Sequence, residues 1–200
     1  MGTRVQPPPR PDEAPAQRRV ERRWLPALGV VAAIVFVTCG ARTVGGAIAG
    51  PEGPPIDVPG VLSVRPRPGW ELEAREEPQE GVHRLLLRLG TAGLFVLALE
   101  GSEESVGSLA ARYVNEGLGS ELSQLAVEEP PEEVVLANGM TALRFGYQGV
   151  TEDGVPAEGV VTVVVAPSGN AVVFDGFGVA GDLAWAIDDL RAMVDGAVVS

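Results

Sequence analysis

The chain has 200 residues, enough for one domain of ~100–200 residues with segments to spare. Its net charge of −12 is unevenly divided: residues 1–50 hold seven Arg against three acids, and residues 51–200 hold eight Arg against 24 acids. So acidic a segment repels nucleic acid and anionic lipid headgroups, which excludes nucleic-acid binding as an expected function. The single cysteine, Cys39, forms no intrachain disulfide, and the single histidine, His83, leaves no multi-His metal site.

Residues 1–23 are rich in Pro and Arg and lack an apolar period, which predicts a disordered tail. Trp24 to Ala41 is an uncharged run of 18 residues. At ~1.5 Å per residue it reaches about 27 Å as a helix, enough for the hydrocarbon core of a bilayer. Trp24 is placed for the interface. Arg22 and Arg23, with Arg18 and Arg19, precede the run, and Arg42 follows it. The positive-inside rule then puts the N-terminus in the cytoplasm and the rest outside. The expectation is a single-pass membrane anchor over residues 24–49. Cleavage near Ala49 and lipidation of Cys39 are the alternatives. A lipoprotein signal wants small or aliphatic residues where Phe36 and Thr38 stand, and a cleaved signal wants a shorter apolar core. All three readings export residues 61–200. Residues 50–60, with four Pro and three Gly, predict an extended stalk.

Beyond the stalk the period is that of strands. Trp70, Leu72 and Ala74 alternate with charged residues, and His83, Leu85, Leu87 and Leu89 share one face opposite Arg84 and Arg88. "LFVLALE" is apolar on both faces, which predicts a central strand. Val106, Leu109, Ala110, Tyr113, Val114 and Leu118 then follow a helical period, with Ser105 as the N-cap. Asn138-Gly139 predicts a hairpin, with Leu143, Phe145 and Tyr147 facing inward. "TEDG" and "PSGN" turn the chain into two more strands. A second helical stripe, Leu183, Ile187, Leu190, Val194 and Ala197, is capped by Asp182 and runs to the end of the chain. Short turns make the strands antiparallel neighbours, so the expected fold is α+β: one antiparallel sheet of about seven to eight strands, covered by two helices.

"RPGW" entering the first long strand, the mid-chain helix before an acidic Pro-rich loop, the "NGMTALRFGY" hairpin and the long terminal helix resemble the PsbP-like α+β sandwich family. Within it, they are similar to exported actinobacterial LpqN-type lipoproteins. The complete lack of Lys and the abundance of Ala, Gly and Val fit such a GC-rich source. The resemblance covers about residues 58–200 and implies an accessory or binding role at a membrane, with no shared catalytic motif. Its lipoprotein members carry a lipobox, which this chain lacks.

Sharper chemistries are few. "GFGVAG", Gly176 to Gly181, has the glycine spacing of a dinucleotide fingerprint, yet no parallel strand with a ribose-binding acid follows it. Ser102, Ser105 and Ser108 are placed for capping and have no nucleophile elbow around them. "EEPPEE", Glu128 to Glu133, lacks the converging ligands of a calcium loop and reads as a solvated acidic loop. His83 is expected to be a hydrogen-bonded residue on a strand face, and an envelope hydrolase using His83 as base is the alternative function. No catalytic residue, metal ligand or cofactor is expected. Trp185 lies about 200° round the helix from Leu183, opposite the apolar stripe, with Asp188 and Asp189 beside it. These three residues form the candidate partner-binding surface, suited to a cationic, partly apolar envelope protein or small ligand.

Overall fold

The computed structural model describes residues 51–200. The tail, the candidate span with Arg22, Arg23, Trp24 and Arg42, and Cys39 lie outside the described residues. In chain order the elements are β1 (Ile56–Val58), β2 (Leu62–Val64), β3 (Glu71–Arg75), β4 (Val82–Leu89) and β5 (Ala92–Leu99). Helix α1 (Val106–Arg112) follows and widens into a π-helical turn (Tyr113–Leu118) and a last short turn (Gly119–Glu121). Then come β6 (Leu122–Val127), β7 (Glu132–Val135), β8 (Thr141–Thr151), β9 (Pro156–Val165) and β10 (Ala171–Val179). A 3-10 turn (Leu183–Trp185), helix α2 (Ile187–Asp195) and β11 (Val198–Val199) complete the chain.

Eight strands make one antiparallel sheet in the order β3-β4-β5-β10-β9-β8-β6, with β7 paired to β8 beyond the end of β6. The fold is therefore the expected antiparallel α+β sandwich with two helices. Strand β5 is buried along its whole length, as its apolar faces required, because β4 and β10 flank it and both faces are covered. On one face α1 and its continuation bury Leu109, Ala110, Tyr113 and Leu118 against Phe95, Leu97, Phe145, Val161 and Val173. On the other face α2 buries Leu190, Met193 and Val194 against Leu85, Leu87, Leu94, Val172 and Phe174. At ~25 cal/mol per Å2 of apolar surface removed from water, two such layers supply the main driving force of the fold.

Three expectations change at the ends of elements. The expected stalk is partly folded: β1 pairs with β2, Val58 is buried in the core, and the Gly53 N–H donates to Pro66 O at 3.0 Å. Glu52 also binds Arg67 at 2.8 Å, so residues 52–58 lie along the domain rather than free of it. The last helix ends at Asp195, and Val198–Val199 becomes a strand on β2 in a second, three-stranded sheet ordered β1-β2-β11. Gly196 stops the helix, and two β-branched residues then suit a strand. Asp182 makes no capping bond; it precedes the 3-10 turn, and α2 starts four residues later with Ala186 at its N-cap. Ser105 does cap α1, its Oγ accepting the Ser108 N–H at 3.1 Å.

The Asn138-Gly139 hairpin forms, with Val135 opposite Thr141 and Gly139 in the left-handed region. Phe145 and Tyr147 face the α1 core as expected, and Leu143 is half-buried. The acidic loop is not simply solvated. The Glu128 carboxylate accepts the Gly146 N–H at 3.0 Å, and the Glu128 N–H donates to Gly146 O at 2.9 Å. Glu128 thus fills the gap on the edge of β8 between the ends of β6 and β7.

Candidate functional site

Trp185 is exposed, at 45 %, between two buried neighbours, Leu183 and Ala186. The 3-10 turn produces this: with about three residues per turn, Leu183 and Ala186 point into the core and the two residues between them, Ala184 and Trp185, point out. The indole does not hang free. Its Cζ2 and Cη2 lie 3.8 Å from where a side chain on Gly90 would begin, so the ring is braced on the β4–β5 turn. Gly90 has a φ of +57°, a conformation that keeps this turn bare of side chain.

Of the three residues expected to act together, Trp185 and Asp188 are exposed and Asp189 is half-buried. Asp188 is exposed on the first turn of α2. Asp189 is turned inward: its Oδ2 accepts the Trp70 Nε1–H at 3.3 Å, and its Oδ1 lies 3.5 Å from Arg67 Nε. Helix α2, which starts at Ile187, sets Asp189 beside the start of β3. Arg67 in turn holds Glu52. Asp189 is thus a structural link between α2 and the segment preceding β1, while Asp182, Trp185 and Asp188, spaced three residues apart in the chain, are each exposed.

His83 is buried on the α2 face of β4, and its Nε2 is bonded to Glu100 Oε1 at 2.8 Å. That is the hydrogen-bonded strand histidine expected from the sequence. The "GFGVAG" glycines fall at the end of β10 and in the turn before Leu183, where Glu158 Oε1 accepts the N–H groups of Gly181 and Leu183. The strand that follows α2 is antiparallel and belongs to the small sheet, so the dinucleotide reading fails for want of a parallel partner. Among the described residues there is no group of three or more His, Cys, Asp or Glu placed to hold a metal ion.

A second constellation, on the α1 face, was not expected. Asp175 sits in the middle of β10, buried, with Phe95 and Val161 opposite it on the neighbouring strands. Its Oδ2 accepts the hydroxyl of Tyr113 at 2.7 Å, and its Oδ1 accepts that of Tyr147 at 2.9 Å. Burial pushes the Asp175 carboxyl up to about 6, although the two tyrosine bonds pull it down. Burial, then the charge of Asp175, pushes both tyrosines well above their ordinary value. Glu121, at the end of the helical segment, is pushed up to about 7 by burial first, and then by Asp175 and Glu152. Its Oε1 is buried without a hydrogen-bond partner. The sequence held one sign of this cluster, a lone Asp inside the apolar strand "AVVFDGF". It gave no sign of the partners, which are 62 and 28 residues away.

Tyr113 also lines a cleft between α1 and the sheet, together with Arg84, Phe95, Leu97, Leu109, Arg112 and Glu116. Arg84 is paired with Glu76 at 3.2 Å and Arg112 with Glu104 at 2.9 Å. The cleft is open to solvent, and the centres of water-sized groups can occupy about 30 Å3 of it.

A sheet of eight antiparallel strands between two helical layers is the PsbP-like fold, and the solved structures agree. No protein-family model matches the sequence, and no curated protein matches it. The chain is similar in structure to the cyanobacterial PsbP protein CyanoP from Synechocystis sp. PCC 6803, with a TM-score of 0.54, 14% identity, and coverage of 80% of this chain and 99% of that one. It is also similar to LpqN of Mycobacterium tuberculosis, a protein involved in cell envelope biogenesis, with a TM-score of 0.51, 13% identity, and coverage of 75% of this chain and 91% of that one. At such identities the likeness is one of fold.

Proposed function

We propose that this chain is a binding or accessory module of a bacterial cell envelope, anchored in the membrane through residues 24–49 and engaging an envelope protein on the extracytoplasmic side through Trp185. The observation that carries the binding role is the exposed indole, braced on Gly90, with exposed Asp182 and Asp188 three residues before and after it in the chain. A rigid aromatic with few rotamers to lose is a typical interface anchor. The acidic flank suits a partner that offers Arg or Lys to the ring face. The fold shared with an envelope-biogenesis protein supports the setting, and the 18-residue uncharged run supports the anchor.

The test is site-specific photocrosslinking of the full chain in its native envelope. A crosslinker at position 185 is expected to trap a discrete partner, and one at exposed Glu103, in the loop before α1, is not. Identical products from both positions, or none from 185, would overturn the assignment.

A further inference from the structure

Of the outer strands of the two sheets, four carry a bulge or a side-chain cap. Strand β3 is bulged between Leu72 and Ala74. Strand β6 is bulged between Ser123 and Ala126, beside Gln124 at a φ of 53°. In the small sheet, Asp57 O of β1 accepts the Arg75 guanidinium at 2.9 Å. Ala197 O, just ahead of β11, accepts the Asn138 side-chain amide at 3.2 Å. Bulges and caps of this kind keep a sheet from acquiring further strands.

Strand β7 has neither. Its register on β8 is regular from Glu132 to Val135. The Leu136 N–H donates to Met140 O at 2.9 Å, and the Gly146 peptide groups face the same side of β8, toward Glu128. Bonded and non-bonded pairs alternate along an antiparallel ladder. Glu132 and Val134 therefore turn their peptide groups to β8, and Glu133 and Val135 turn theirs outward. Among the described residues, no main-chain or side-chain partner meets those outward groups. The side chains give this edge a character. Val135 is 71 % exposed, the most of any large hydrophobic among the described residues. Val134 is half-buried against the α2 core, and Glu132 and Glu133 are exposed.

We propose that β7 is a docking edge for an extended, basic segment of a partner protein, added antiparallel as a further strand of the large sheet. The two N–H and two C=O groups of Glu133 and Val135 hold its main chain. The side chains select it. Read from its own N-terminus, the added strand meets Val135, Val134, Glu133 and Glu132 in turn. Its complement is two apolar residues, β-branched by preference, followed by two Lys or Arg. The same acids disfavour a second copy of this chain. Self-pairing through the outward groups sets Glu133 against Val135 and brings together two segments that each hold 24 acids and eight Arg. This edge is separate from Trp185, which is braced on the β4–β5 turn.

The probe is a synthetic peptide, Thr-Val-Val-Lys-Lys-Thr, titrated into the full chain in detergent micelles. Amide hydrogen exchange is read residue by residue by nuclear magnetic resonance. With peptide bound, the Glu133 and Val135 amides are expected to slow by about tenfold or more, and those of Glu132 and Val134, already bonded to β8, to keep their rates. Contact through side chains alone does not produce that alternation. Val135→Pro removes an outward donor and spares the β8 ladder, since proline is tolerated on an edge strand whose N–H faces solvent. It is expected to weaken the peptide by about tenfold or more. The charge-reversed peptide Thr-Val-Val-Glu-Glu-Thr probes the unaltered chain and is expected not to bind. Unchanged rates at Glu133 and Val135, equal binding of the two peptides, or full affinity in Val135→Pro would each overturn the proposal. So would protection of both outward amides before any peptide is added, as a second copy of the chain would give.

Discussion

Tyr147 and Gly159 stand opposite each other in the β8–β9 register, and the pair explains how a tyrosine on one strand reaches an aspartate two strands away. A side chain begun at Gly159 would fall inside the Tyr147 ring and its hydroxyl, so the ring lies flat across the bare backbone of β9 and places its oxygen on Asp175. Phe177 uses Gly93 in the same way, and Arg88 lies over its ring, 5.3 Å from the centroid. Each glycine here is a slot for an aromatic, a known device for making glycine tolerable in a strand. Gly159→Ala therefore forces Tyr147 from its place, at a cost of about 1–3 kcal/mol from overpacking, together with the loss of a hydrogen bond to a buried carboxylate. Urea unfolding of the variant is expected to show that loss, and an unchanged midpoint would mean that the ring has another place to go.

The elements show why some of the fold was legible and some was not. The alternating β8 and the largely apolar β4, β5 and β9, all long and bounded by turn residues, could be read because burial dictates their patterns. Helix α1 could be read from its stripe and its Ser105 cap. Ser105→Ala removes that cap and is expected to lower stability by about 1 kcal/mol, read from the thermal midpoint. A wild-type midpoint would mean that the Ser105 Oγ contributes no more than water does. The π turn could not be read, since a stripe at i, i+3, i+4 and i+7 tolerates one extra residue in a later turn without a break. Strand β6 was hidden by Gln124, whose φ of 53° shifts the register beside it. Strands β1 and β11 are three and two residues long, too short to show a period. The two candidate surfaces divide in the same way. Trp185 was legible as an apolar residue in a polar arc. The inward turn of Asp189 depends on where α2 begins, and the Asp175 cluster on long-range pairing, neither of which is local.

At the scale of the whole molecule, the acids decide how stability follows pH. Most proteins lose stability in mild acid because their carboxylates are better bound when folded. Here two carboxylates are worse placed folded than unfolded. Asp175 rises from 3.8 to about 6 and Glu121 from 4.5 to about 7. The folded state then binds more protons than the unfolded state between about pH 4 and pH 7, so stability falls as pH rises through that window and levels off above it. For Asp175 the change between pH 5 and pH 8 is on the order of 1–2 kcal/mol. The surplus of 24 acids over eight Arg in residues 51–200 adds repulsion in the same direction. Urea midpoints measured from pH 5 to pH 8 are expected to decline, and Asp175→Asn to flatten the decline. A rising curve would contradict the placement of both groups.

The small sheet has a mechanical consequence. Its middle strand is β2, with β1 on one edge and β11 on the other, and Asn170 pins both sides by donating to Gly60 O and Ser200 O at 2.8 and 2.7 Å. Tension applied at residue 51 acts first on β1, which is held by a three-residue ladder and the Glu52–Arg67 pair. Peeling residues 51–60 away yields about 30 Å of slack, at ~3.4 Å per extended residue. The eight-stranded sheet, anchored elsewhere, bears no load until that slack is spent. Under a pull on residue 51, the domain behaves as a rigid body on an extensible leash.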